Sequence, residues 1–420
     1  MNTEILDAPP IDTRIDLDPT LAEQQPPWEL PETVSEVRER LNKASALVTQ
    51  QEVYLLRTLL AGVAAGQYQV VQTGDCSEDP AECTPEYLSR KVGVLDLVAG
   101  VTAAHSGLPV LRVGRFAGQF AKPRSRPVET VNGYELPVYR GELVNGSAPN
   151  EEERRPDPRR MLDCHAAALS AMNYLRQRSG AWKASVGAPV WTSHEALVLD
   201  YELPQIRPCV GERSLLTSTH WPWIGERTRR VDGAHVRMLA NVVNPVACKV
   251  GPGIDVDQLV RLCEALDPSR EPGRLTLIAR MGADRVAEVL PTLVTAVRRA
   301  GHPAIWLCDP MHGNTTTAPS GYKTRLLSEM RREVHGFLEA VDVGGGVPGG
   351  LHLETTPDAA VTECVSDATG IAEVGRRYTS LCDPRLTPRQ AVEIASVWRS
   401  SSGAPSTGPV PPASASVPTQ

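Results

Sequence analysis

The sequence predicts an α/β protein: a (β/α)8 TIM barrel with a short N-terminal helical extension and a disordered C-terminal tail. Three observations predict it. Short β-branched runs alternate with longer segments of helical periodicity, the pattern of parallel strands joined by crossover helices. The runs number eight, the count that closes a barrel, and every one ends on polar or titratable residues. Alternation alone also fits a doubly wound open sheet. Eight polar strand ends converging on one face favour the barrel, whose chemistry sits at that face.

In chain order, residues 1–30 carry Pro9-Pro10 and Pro26-Pro27 and read as an extended arm. Helical patterns at 33–48 and 50–65 fill a helical segment over 31–66, and residues 67–399 make the barrel. Its strands are expected at Gln69–Thr73, Pro109–Gly114, Pro189–Ser193, Leu215–Thr219, Val246–Val250, Leu275–Ala279, Ala304–Cys308 and Leu351–Leu353. The ends of these strands carry Asp75-Cys76, Arg115, His194-Glu195, His220-Trp221, Lys249, Arg280, Asp309 with His312, and Glu354. Residues 400–420 have almost nothing to bury and should be disordered. Neither terminal segment is expected to carry chemistry.

Composition excludes several classes. The 50 acidic and 43 basic residues give a net charge of -7, which argues against a general nucleic-acid-binding surface. No run approaches the ~20 apolar residues of a membrane span, and Asp, Glu and Pro stand where a signal peptide needs an apolar stretch. A cytoplasmic protein without a membrane partner is expected. The nine cysteines include no CxxC pair, so neither a disulfide scaffold nor a zinc ribbon fits.

Two groups of residues suggest chemistry. Arg115, Lys122, Arg124 and Arg126 place four cations in twelve positions, and the Lys122-Pro123-Arg124-Ser125 core suits a phosphate. Arg227, Lys249 and Arg280 would join them at the barrel mouth, where cations are costly to desolvate without a bound anion. Salt bridges to Glu195 and Glu226 are the bland alternative. Cys76, His312, Glu354 and Asp383 offer one soft, one borderline and two hard ligands, a mixture that suits manganese, iron, cobalt or zinc. Taken singly, each of the four has a structural reading: buried thiol, satisfied histidine, turn-forming aspartate.

The strings GDC (74–76), RVGRFAGQFAKPRS (112–125), TSHEALVLDYE (192–202), HWPWIGERTR (220–229), NPVACKVGP (244–252), RLTLIARMGAD (274–284), CDPMHGNT (308–315), HLE (352–354) and CDPRL (382–386) closely resemble type II, plant-like 3-deoxy-D-arabino-heptulosonate 7-phosphate (DAHP) synthases. The resemblance runs from about residue 50 to 395, and the wording looks most like the phenazine-biosynthesis branch. It implies condensation of phosphoenolpyruvate with erythrose 4-phosphate, the first step of the shikimate pathway. It also implies one divalent metal ion, manganese or cobalt foremost, with zinc, cadmium or iron as alternatives. The implied metal ligands are Cys76, His312, Glu354 and Asp383. Phosphoenolpyruvate contacts fall on Arg115, Lys122, Glu195, Trp223, Glu226, Arg227, Lys249 and Arg280, and the erythrose 4-phosphate cradle on Lys122, Pro123, Arg124 and Ser125. Catalytic roles fall on Lys122, Glu195, Glu226 and His312. A homodimer or higher homo-oligomer and a chorismate mutase partner are further implications. The rivals are an amino-DAHP synthase using an imino sugar phosphate, a Schiff-base aldolase acting through Lys249, and a silent barrel regulating a pathway partner.

Overall fold

The computed structural model describes residues 17–131, 133–180, 189–209 and 214–399. The expected tail and the start of the arm lie outside these residues. Eight parallel strands form one sheet: β1 (Gln69–Gly74), β2 (Val110–Arg115), β3 (Val190–Thr192), β4 (Trp223–Ile224), β5 (Val246–Val250), β6 (Leu275–Ala279), β7 (Ile305–Cys308) and β8 (Pro348–Glu354). Their spatial order is β3-β2-β1-β8-β7-β6-β5-β4. The two edges meet, because Glu195 just past β3 bridges Trp223 in β4 and the Trp223 amide donates to the His194 carbonyl at 3.0 Å. That closure makes a barrel and excludes the open sheet.

The strands are apolar on both faces because both are covered. Outside, amphipathic helices pack their stripes on the sheet; Val286–Arg299 buries Val286, Leu290, Leu293, Val294 and Val297 at helical spacing. Inside, Val70, Val113, Trp191, Trp223, Ala247, Ile278, Ile305 and Leu307 form a core with Leu56, Leu60 and Val63. Those last three belong to the helix Gln50–Ala64, started by a Thr49–Glu52 capping box. Val63 lies against Gly349 at the start of β8, so this helix plugs the N-terminal end of the barrel. Only the C-terminal mouth is left for a ligand.

The fourth strand is not where the sequence reading puts it. Ser214–Leu216 pairs antiparallel with Ile206–Pro208 in a ribbon outside the barrel. The barrel strand is Trp223–Ile224, two residues following a proline, too short to show any period. His220 and Trp221 therefore precede a strand. His220 Nδ1 accepts from the Thr192 amide at 3.0 Å and Trp221 packs in the inner core, so neither takes part in the mouth. Two insertions build up the mouth: the hairpin of Val128–Val131 with Tyr134–Pro137 after β2, and that of Thr315–Thr317 with Lys323–Arg325 after β7.

Candidate active site

β1 ends on Gly74 at φ +151°, where a Cβ would lie 2.7 Å from the Arg115 carbonyl oxygen. A side chain there would force the ends of β1 and β2 apart. Their close approach brings Cys76 and Arg115 to the wall of a cavity of about 600 Å³ at the C-terminal mouth. All fifteen residues singled out from the sequence line that cavity.

Ligand atoms of His312, Glu354 and Asp383 lie within 4.8 Å of one another. His312 Nε2 is 3.4 Å from Glu354 Oε1, and the Cys76 sulfur accepts from the Asp383 amide at 3.2 Å. Burial pushes the Cys76 thiol up, but a hydrogen bond from Cys382 and the Lys122 ammonium more than offset it and bring it down to about 6. Burial likewise opposes ionisation of Glu354 and Asp383, yet nearby cations hold both well below the usual carboxylate range. Lys122 pairs with Asp383 and lies 3.7 Å from Glu354, while Arg325 grips Glu354 at 2.7 Å and Lys323 grips Asp383 at 2.8 Å. Imidazole and two carboxylates at one spot, with the Cys76 sulfur beside Asp383 on the same wall, form a donor set that fits a divalent transition ion.

Beneath this cluster the barrel interior is polar. His352 Nδ1 meets Gln72 Oε1 at 2.6 Å, its Nε2 meets Arg115 at 3.1 Å, and Arg115 reaches Glu354 at 3.1 Å. Burial keeps His352 neutral, and Trp223 stacks edge-on against it while lying under the Arg115 guanidinium. Asp309 joins the two halves of the site, pairing with Lys249 and accepting from His312 Nδ1 at 2.7 Å. Such a carboxylate fixes the histidine ring with Nε2 turned toward the other donors.

The cations are not consumed by Glu195 and Glu226. Glu226 pairs with Arg229 at 2.7 Å, whereas neither Arg227 nor Arg280 has a carboxylate partner among the described residues. Arg227 donates to Ser125 Oγ at 2.7 Å and Arg280 to the His312 carbonyl at 3.2 Å. Arg124 differs, since its guanidinium is paired with Glu129 at 2.8 Å. Glu195 is half-buried with its enclosed Oε1 lacking a hydrogen-bond partner among the described residues, and desolvation pushes its carboxyl up against the pull of Lys122 and Lys249.

Sequence reasoning missed Lys323 and Arg325, which sit on a short hairpin with no motif of their own. It also missed His352, although period-2 alternation from Glu354 in β8 puts the two on one face. The buried chain of Lys91, Asp75, Arg385 and Glu363 was missed too. Glu363 accepts from the amides of Thr379, Ser380 and Arg385, and so shapes the loop that presents Asp383.

A barrel whose mouth combines three clustered metal donors, Cys76 beside them, and cations without a carboxylate partner among the described residues defines a metal-competent enzyme of anionic substrates. The model of the Class-II DAHP synthetase family matches residues 16–188 and 180–398, and the chain belongs to that family. A probable phospho-2-dehydro-3-deoxyheptonate aldolase of Pseudomonas fluorescens is 53% identical over 378 residues, covering 90% of this chain and 94% of that protein. Phospho-2-dehydro-3-deoxyheptonate aldolases of Streptomyces coelicolor and Mycolicibacterium smegmatis are 37% and 36% identical, over 89% and 90% of this chain and 94% and 93% of theirs.

The contact between Cys76 and Cys382 carries a prediction. Peroxide should oxidise the two thiols to a disulfide, with loss of two protons and two electrons, and remove one of the four donors. Activity should fall under peroxide and return with a thiol reductant and metal. A Cys382→Ser variant should resist reversible loss; equal sensitivity would rule out this pair.

Proposed function

We propose that this protein is a metal-dependent DAHP synthase joining phosphoenolpyruvate, erythrose 4-phosphate and water into DAHP and phosphate. The observation that carries the reading is one cavity holding the His312, Glu354, Asp383 and Cys76 donors beside Arg227 and Arg280, cations with no acid of their own. When bound to those donors, a divalent ion, manganese or cobalt foremost, supplies Lewis acidity for the aldehyde oxygen.

The chain's own residues do the rest. Arg115, Arg227, Lys249 and Arg280 hold the carboxylate and phosphate of phosphoenolpyruvate, which sets its C3 near the aldehyde carbon. Lys122, Pro123 and Ser125 cradle the acceptor phosphate, while Arg124 has its side chain held by Glu129 and its backbone N–H by Gln24 and so shapes that wall. The new bond joins C3 to the aldehyde carbon, water enters at C2, and phosphate leaves. Glu195, whose raised carboxyl suits proton exchange, and Glu226 orient that water. Lys122 is kept an ammonium by Asp383, Cys76 and Glu354 despite burial, and donates to the oxygen that becomes a hydroxyl.

Motif wording supports service to secondary metabolism such as phenazine biosynthesis, and a cytoplasmic homo-oligomer is the accompanying proposal. Among the described residues no helix is long and apolar enough to cross a membrane. The deciding assay follows phosphate release and DAHP formation with erythrose 4-phosphate and with its imino analogue. DAHP from erythrose 4-phosphate is expected; turnover of the imino analogue alone would transfer the reading to an amino-DAHP synthase.

A further inference from the structure

The described part of the N-terminal arm, residues 17–30, crosses three loops at the substrate end of the barrel. Gln24 adopts a left-handed backbone at φ 62°, unusual for a side chain of its kind. This conformation turns its amide oxygen onto the Arg124 backbone N–H at 2.9 Å, while its carbonyl accepts from Arg140 at 3.2 Å. The neighbouring Gln25 reaches the loop after β3. Its Oε1 accepts from the Leu199 amide and its Nε2 donates to the Leu197 carbonyl, both at 2.9 Å. Leu197 in turn donates its amide to the Glu195 carbonyl at 2.8 Å. Glu23 approaches Arg230 beyond β4 at 3.6 Å, and Trp28 donates to Asp200 at 2.9 Å.

Two adjacent glutamines thus tie down two different walls of the cavity. Gln24 fixes the peptide between Pro123 and Arg124, immediately before Ser125. Gln25 fixes the turn that carries Glu195. We infer that Gln24 and Gln25 are positioning residues, Gln24 for the wall that takes the acceptor's phosphate and Gln25 for the wall that faces phosphoenolpyruvate. The inference rests on the proposed reaction for its substrate names. The hydrogen bonds differ in kind: Gln24 uses only an acceptor oxygen of its side chain, whereas Gln25 uses both an acceptor and a donor. Carboxylate replacement therefore separates them, since a carboxylate accepts but does not donate.

The test is steady-state kinetics on the full-length, metal-loaded enzyme with both substrates varied, together with thermal melts. Gln24→Met keeps the length of the side chain and loses the acceptor; it should raise KM for erythrose 4-phosphate about tenfold and leave KM for phosphoenolpyruvate within about twofold. Gln24→Glu should stay near wild type. Gln25→Glu, which removes the Gln25 donor from the Leu197 carbonyl and leaves it the His235 ring alone at 2.9 Å, should raise KM for phosphoenolpyruvate about tenfold instead. Unchanged KM values in Gln24→Met, or equal rises in both together with a lower melting temperature, would reduce the arm to packing and overturn the inference. Wild-type enzyme that formed no DAHP would sink the reaction instead. Calorimetric titration with erythrose 4-phosphate would then decide the arm, an unchanged Kd in Gln24→Met counting against it.

Discussion

Stripping the purified enzyme of metal with a chelator is expected to lower kcat about a thousandfold or more, and manganese or cobalt to restore it. Lys122, the cation placed here to face the aldehyde oxygen, is already shared with Asp383 and Glu354, which weakens it as an electrophilic activator on its own. His312, Glu354 and Asp383 present their donor atoms within 4.8 Å of one another, and the two carboxylates are anionic at any working pH. Asp383→Asn should reproduce the chelated state at any metal concentration that saturates the wild type, and should lower the melting temperature because buried Lys122 loses its nearest anion. Glu354→Gln should cost stability as well, because Arg115 and Arg325 would lose their shared buried anion. Metal analysis alongside initial rates checks the prediction. Full turnover in a sample with no measurable metal would end the metal-dependent reading.

How far the sequence alone reaches can be seen strand by strand. β1, β2, β5, β6 and β7 were legible because each is a run with β-branched residues bounded by helical periodicity; β8, which has none, showed only as Leu351–Leu353 before Glu354. β4 was not legible, since two residues carry no period and the apolar Leu215-Leu216 nearby imitates a strand while pairing elsewhere. The site was legible wherever a ligand-bearing residue sits at or just past the C-terminal end of a strand, as Cys76, Lys249 and Arg280 do. Asp383 lies 29 positions past the end of β8, and only its motif resemblance pointed to it. Lys323, Arg325 and the Glu363–Arg385 brace stayed hidden because their function arises from tertiary contact. The coupling of Asp309 to both Lys249 and His312 also belongs to the fold, although the residue itself was visible at the end of β7.

That coupling makes Lys249→Met the substitution with the second largest expected effect. Lys249 is buried, faces the cavity and is paired with Asp309. Its burial is the main reason its amine falls to about 8; Asp309 opposes the fall and Arg115 adds to it. Removing the ammonium deletes an anion contact and leaves buried Asp309 with the His312 ring as its remaining side-chain partner. Breaking one side of a buried pair costs about 3–5 kcal/mol of stability, and losing a preorganised charge contact to the reacting substrate should lower kcat/KM roughly a hundred- to a thousandfold. The pH profile gives a second signature. Below about pH 8 the ammonium is present and binds the anion; as pH rises through that value it is lost, so kcat/KM for phosphoenolpyruvate should fall on the alkaline side. In the complex the bound anion stabilises the ammonium, and the alkaline limb of kcat should move higher. A Schiff-base aldolase would use the same lysine in the opposite way, needing the free amine, so its kcat/KM would rise through about pH 8. Borohydride with erythrose 4-phosphate would then inactivate it irreversibly and add the sugar's mass at Lys249. No adduct and a falling alkaline limb are expected, with the limb absent from Lys249→Met; a trapped adduct at Lys249 would replace the ion-pairing role with covalent catalysis.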